Sequence, residues 1–85
     1  MNKVWIIDDD RSIRWVLEKA LEQEKIDTQS FENGDRILST LSRHQPDAII
    51  SDVRMPGTDG LSLLKQIHEN YPDIPVIIMT AHSDL

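Results

Sequence analysis

Lys3-Val4-Trp5-Ile6-Ile7 runs straight into Asp8-Asp9-Asp10, and Ala48-Ile49-Ile50-Ser51 runs into Asp52. Each stretch is a short apolar run that stops on carboxylates, the pattern of a buried strand that ends in a polar loop. A third run, Val76-Ile77-Ile78-Met79, places Thr80 at its carboxyl end. A weaker strand over residues 28–31 closes on the turn signal Asn33-Gly34. Strands apolar on both faces belong to parallel sheets covered on both sides.

The segments between the strands carry helical spacing. Ile13, Val16, Leu17, Ala20 and Leu21 fall at i, i+3, i+4, i+7 and i+8, which predicts an amphipathic helix over residues 11–24 with Asp10 and Ser12 as capping residues. Trp15, between Ile13 and Val16, is expected half-buried at the edge of the core. Ile37, Leu38 and Leu41 mark a second helix over residues 35–44, and Pro46 breaks it. Arg54-Met55-Pro56-Gly57 is a turn-forming loop. Asp59-Gly60 then introduces a third helix over residues 61–70, with Leu61, Leu64 and Ile67 on its inner face and Leu63 at the margin. Pro72 and Pro75 frame the loop before the last strand. The resulting order, β-α-β-α-β-α-β, predicts a doubly wound α/β parallel sheet of four strands and three helices. Such sheets bind ligands at the carboxyl ends of their strands, and here those ends hold Asp8, Asp9, Asp10, Asp52 and Thr80.

Composition narrows the function classes. Eighty-five residues make one small domain, which buries only about 60–65% of the surface its unfolded chain exposes. The absence of cysteine excludes a disulfide scaffold, a thiolate zinc site and a cysteine nucleophile. Nine Lys and Arg against fifteen Asp and Glu give a net charge of −6, unsuited to a nucleic-acid surface. No apolar run reaches the roughly 18 residues of a membrane span, and no leader-like stretch opens the chain, so a cytoplasmic location is expected.

Several carboxylates gathered at neighbouring strand ends repel one another. At ~4 Å and an effective dielectric of ~20, each pair costs about 4 kcal/mol. Either one carboxyl takes up a proton or a cation sits among them. Oxygen ligands without His or Cys favour a divalent ion such as Mg²⁺. His44, His68 and His82 are scattered and lack ligand spacing. A carboxylate beside such an ion can act as a nucleophile towards phosphorus. Asp10 and Asp59 have a simpler reading as cap and turn residues.

Ile6-Ile7-Asp8-Asp9-Asp10, Ser51-Asp52-Val53-Arg54-Met55-Pro56-Gly57-Thr58-Asp59-Gly60 and Val76-Ile77-Ile78-Met79-Thr80-Ala81 together resemble the receiver domain of two-component response regulators. The motifs stand in the family's order and cover nearly the whole chain. Ser12 to Glu18, Phe31-Glu32-Asn33-Gly34 and Met79 to Leu85 are similar to receivers of sigma-54-dependent, nitrogen-regulation activators. The resemblance implies a flavodoxin-like, CheY-like fold and a phosphoryl group accepted on Asp52 from a histidine kinase, with no independent substrate turnover. It implies Mg²⁺ held by Asp8, Asp9, Asp52 and the backbone carbonyl of Arg54, with Thr80 as the switch hydroxyl and Asp10 as an auxiliary acid. Arg11, Arg14 and Trp15 become the kinase-facing surface.

Receivers of this family continue into a fifth strand that ends in a lysine, and then a fifth helix. The sequence ends before both, and Lys3, Lys19, Lys25 and Lys65 do not stand in that place. Residues 1–85 are therefore expected to be an incomplete receiver that lacks its effector domains, makes no direct nucleic-acid contact and self-associates through the edge of its fourth strand. Two other functions compete. A phosphohydrolase of the haloacid dehalogenase type would use Asp8 as its nucleophile. An interaction or dimerisation module would keep the fold without phosphorylation.

Overall fold

A computed structural model describes residues 2–52, 54–55 and 58–79. Its elements are β1 (Lys3–Ile7), α1 (Arg11–Gln23), β2 (Asp27–Phe31), α2 (Ile37–Leu41), β3 (Ala48–Asp52), β4 (Arg54–Met55), β5 (Thr58–Asp59), α3 (Gly60–Asn70) and β6 (Val76–Met79). Four strands pair in parallel in the order β2-β1-β3-β6. β1 therefore lies at the centre beside β3, and the order reverses between them. Trp5 pairs with Ile49 and Ile7 with Ser51.

The pleat sends alternate residues of β1 to opposite faces. Trp5 and Ile7 join Ile49, Ile37, Leu41, Leu63, Ile67 and Ile74 in one core cluster on the side of α2 and α3. Phe31 packs against this cluster, its ring centroid 5.0 Å from that of Trp5. Val4 and Ile6, buried on the alternate positions, face α1.

α1 begins where Asp10 caps it. The Asp10 carboxylate accepts from the amides of Ser12 (2.8 Å) and Ile13 (3.4 Å), two of the donors that a helix start leaves without partners. The helix ends in a left-handed residue, Lys25 at φ 60°. The Lys25 amide donates to the Glu22 carbonyl at 2.9 Å and the Ile26 amide to the Leu21 carbonyl at 3.0 Å, the paired bonds of a Schellman cap.

Five sequence expectations are corrected. Residues 35–44 are helical only over Ile37–Leu41, because Asp35 and Arg36 form the preceding turn and the chain leaves the helix again at Ser42. α3 turns Gly60, Leu63 and Ile67 inward and leaves Leu61 exposed, since the sheet meets the stripe centred on Leu63. Val16 and Ala20 are exposed and α1 has no buried residue, so its apolar stripe is only partly covered. Trp15, expected half-buried, is 59% exposed and carries Lys19 Nζ 5.8 Å from its ring centroid. The two-residue antiparallel ladder of β4 and β5 stands where the sequence suggested a plain loop. Val53, Pro56, Gly57 and the segment from Thr80 onward lie outside the described residues.

Candidate functional site

β1 and β3 end side by side, and their last apolar residues hand over to Asp8 and Asp52. The β1–β3 register reaches Ile7 and Ser51, so the next residue of each strand emerges at the same level. Asp8 and Asp52 are both buried, whereas the Asp9 side chain is exposed. One carboxylate oxygen from each of Asp8, Asp9 and Asp52 lies within 4.8 Å of the other two. Beside Asp52 the β3–β6 register places Met79, the residue before Thr80. Thr80 itself lies outside the described residues.

Asp8 is held at three points. Its amide donates to the Phe31 carbonyl at 3.0 Å, which carries the β1–β2 ladder one residue past the strand. Its Oδ1 accepts from the Asp10 amide at 2.8 Å. Its carbonyl accepts from Arg14 Nη1 at 2.6 Å. Burial pushes the Asp8 carboxyl up from the ordinary 3.8, and the charges of Asp52, Asp9 and Asp10 push the same way against the opposing Asp10 amide bond. A buried acid beside two other carboxylates is the electrostatic condition that a cation relieves. Three carboxylate oxygens gathered this closely, with no nitrogen or sulfur ligand beside them, suit a hard divalent cation such as Mg²⁺.

The remaining sequence-derived residues divide. Asp10 stands beside the site, but its carboxylate is committed to the helix cap. Arg11 and Trp15 are exposed on the first turns of α1 and, with Ser12 and Val16, line a shallow apolar groove of about 280 Å³. Arg14, expected on that same surface, is half-buried and turned towards Asp8. Helical spacing could have found this, since Arg14 stands three residues before Leu17 and seven before Leu21 on the half-buried stripe of α1, but the Asp8 carbonyl it meets has no signature in the sequence. Arg54 lies in β4, where it pairs with Asp59. The described histidines, His44 and His68, are exposed and stand apart from the three carboxylates.

The model of the response regulator receiver domain matches residues 4–85. The chain belongs to the response regulator receiver family. This receiver is 58% identical over 82 residues to the DNA-binding transcriptional regulator NtrC of Salmonella typhimurium, covering 96% of the present chain and 18% of that regulator's length. Among solved structures, the apo receiver domain of nitrogen regulatory protein C is 57% identical with a TM-score of 0.86, over 99% of this chain and 68% of that one. A Thermotoga maritima response regulator, TrrA, solved in complex with Mg²⁺ and beryllofluoride, is 31% identical with a TM-score of 0.90, over 98% of this chain and 72% of that one. The same TrrA is also solved in complex with the histidine kinase ThkA, with a TM-score of 0.88. The receiver fold was the expectation from sequence, and the comparisons bear it out. No helix among the described residues is long and apolar enough to cross a membrane.

Proposed function

We propose that this receiver is the phosphoacceptor module of a two-component system, holding Mg²⁺ among Asp8, Asp9 and Asp52 and accepting a phosphoryl group on Asp52 from a partner histidine kinase. The observation that carries the reading is the convergence of three carboxylate oxygens within 4.8 Å at adjoining strand ends, two of the groups buried. Mg²⁺, when bound, supplies charge neutralisation for the carboxylates and for phosphoryl oxygens. Asp52 supplies the nucleophile. One of its oxygens bonds to phosphorus as the N–P bond of the kinase's phosphohistidine breaks, and the departing imidazole keeps the electron pair and takes a proton. Asp8, pinned at its amide, carbonyl and Oδ1, presents a fixed carboxylate next to that oxygen. Asp9 offers the solvent-facing ligand.

In this reading the Arg54 carbonyl completes the metal site, Thr80 contacts the phosphoryl group, and Arg11 and Trp15 belong to the kinase-facing surface. The TrrA complexes, one with Mg²⁺ and beryllofluoride and one with a kinase, support both halves of it. The likeness to NtrC extends the proposal to a cytoplasmic, sigma-54-dependent activator of nitrogen-regulated genes, whose effector domains this chain does not include. The 85-residue chain on its own self-associates through its exposed β6.

Acetyl phosphate with Mg²⁺, followed by borohydride reduction and peptide mass spectrometry, tests the acceptor. The expected product is reduced Asp52, absent from the Asp52→Asn variant. Reduction at Asp8 that survives Asp52→Asn would instead support the phosphohydrolase reading. Labelling at neither residue, in a protein that still binds Mg²⁺, would overturn the acceptor role and leave an interaction module.

A further inference from the structure

The ladder between β1 and β3 stops at Ile7 and Ser51, so Asp8 and Asp9 lie beyond the last pair of that register. On the other side the β1–β2 ladder ends on the Asp8 amide, which donates to the Phe31 carbonyl, so the peptide that joins Asp8 to Asp9 follows the last rung on both sides. Arg14 reaches back over this turn twice. Its amide donates to the Asp10 carbonyl at 3.1 Å, as the first helical bond of α1, and its Nη1 donates to the Asp8 carbonyl at 2.6 Å. The Asp8 carbonyl and the Asp9 amide belong to one planar peptide unit. A guanidinium on that oxygen therefore fixes the plane from which the Asp9 side chain departs. A short, charge-assisted bond in a partly buried place is among the stronger ones a backbone carbonyl accepts.

We infer that Arg14 is a positioning residue of the acidic site: by clamping the Asp8–Asp9 peptide it holds the exposed Asp9 carboxylate against Asp52. The functional half of this inference rests on the Mg²⁺ reading above; the hold on the turn does not. Lysine does not replace it, because an ammonium is a point charge without the planar fork that arginine carries on a longer stem.

Arg14→Lys and Arg14→Met, which keep an unbranched stem and good helix propensity, test the inference through two readouts. The first is native-state hydrogen exchange of the Asp10 amide, which donates to Asp8 Oδ1 and so reports the turn without metal. The second is Mg²⁺ titration followed by amide chemical shifts. In both variants the Asp10 amide is expected to exchange roughly tenfold faster while β1 amides keep their protection, and the Mg²⁺ midpoint to rise by roughly tenfold, the scale of one charged hydrogen bond. Unchanged Asp10 exchange, full rescue by lysine, or loss of protection throughout β1 would each overturn it. If the wild-type chain fails to respond to Mg²⁺, the metal reading falls, and the exchange result alone decides whether Arg14 holds the turn.

Discussion

The buried carboxyls of Asp8 and Asp52 face each other at the ends of neighbouring parallel strands, with an oxygen of each inside the same 4.8 Å group. Burial and this neighbour both favour the protonated form of Asp8. The folded protein thus binds a proton at Asp8 more tightly than the unfolded chain does. Stability from this group falls as pH rises from 3.8 through the raised folded value, and the deficit is fully present above it.

Asp8→Asn removes that deficit. In metal-free buffer at pH 7 the variant is expected to be more stable than wild type, with the two converging below pH 3.8. Saturating Mg²⁺ should reverse the ranking, because only wild type gains a bound ion. Denaturant melts across pH, with and without Mg²⁺, check both signs. A variant less stable than wild type at pH 7 without metal contradicts this electrostatic picture.

Lys25 sits in the left-handed region at φ 60°, where a side chain costs what glycine does not. Lys25→Gly is expected to stabilise the chain by about 1 kcal/mol while both cap bonds persist. In a domain this small that is a rise of roughly 4–8 °C in Tm. A lower Tm would mean that the lysine stem packs in a way that outweighs its backbone strain.

The two leucine stripes of α3 are separable by mutation. Leu63→Ala opens a cavity in the main cluster and is expected to cost about 2–5 kcal/mol, enough to unfold much of a chain with so little core. Leu61→Ala, on an exposed side chain, should stay within about 0.5 kcal/mol. Thermal melts of the pair distinguish the inner face seen here from the one that the leucine spacing suggested.

That register illustrates where the sequence was legible. Trp5, Ile7 and Ile49 were readable as strand core because runs apolar on both faces leave one solution. The same runs made the β1 and β3 ends, and hence Asp8 and Asp52, the natural place for a site. Leu61, Leu63, Leu64 and Ile67, by contrast, support two stripes about 100° apart, and only the position of the sheet selects between them. β4 and β5 are too short to show an alternating pattern. Arg14 stands three residues before Leu17 and seven before Leu21, on the half-buried stripe of α1, but its role comes from a carbonyl that its neighbours in sequence do not reveal.

Ile77 and Ile78 project to opposite faces of β6 and are both about half exposed, and among the described residues β6 pairs with β3 alone. Uncharged apolar residues at such an edge recruit another strand. Light scattering on the 85-residue chain is expected to give a mass above that of one chain and rising with concentration. Ile78→Lys should return it towards monomer. A wild-type monomer at every concentration contradicts the expectation.

The central claim is that Asp8, Asp9 and Asp52 form one cation site, and titrating Mg²⁺ into the isotopically labelled chain tests it most directly. Saturable amide shifts are expected at residues 8–10 and at Asp52, together and with one midpoint. Asp9→Asn and Asp52→Asn should each weaken that midpoint by at least about tenfold, the loss of one charged ligand. Shifts that stay linear up to about 0.1 M, where screening replaces specific binding, or a midpoint unchanged in both variants, would contradict it.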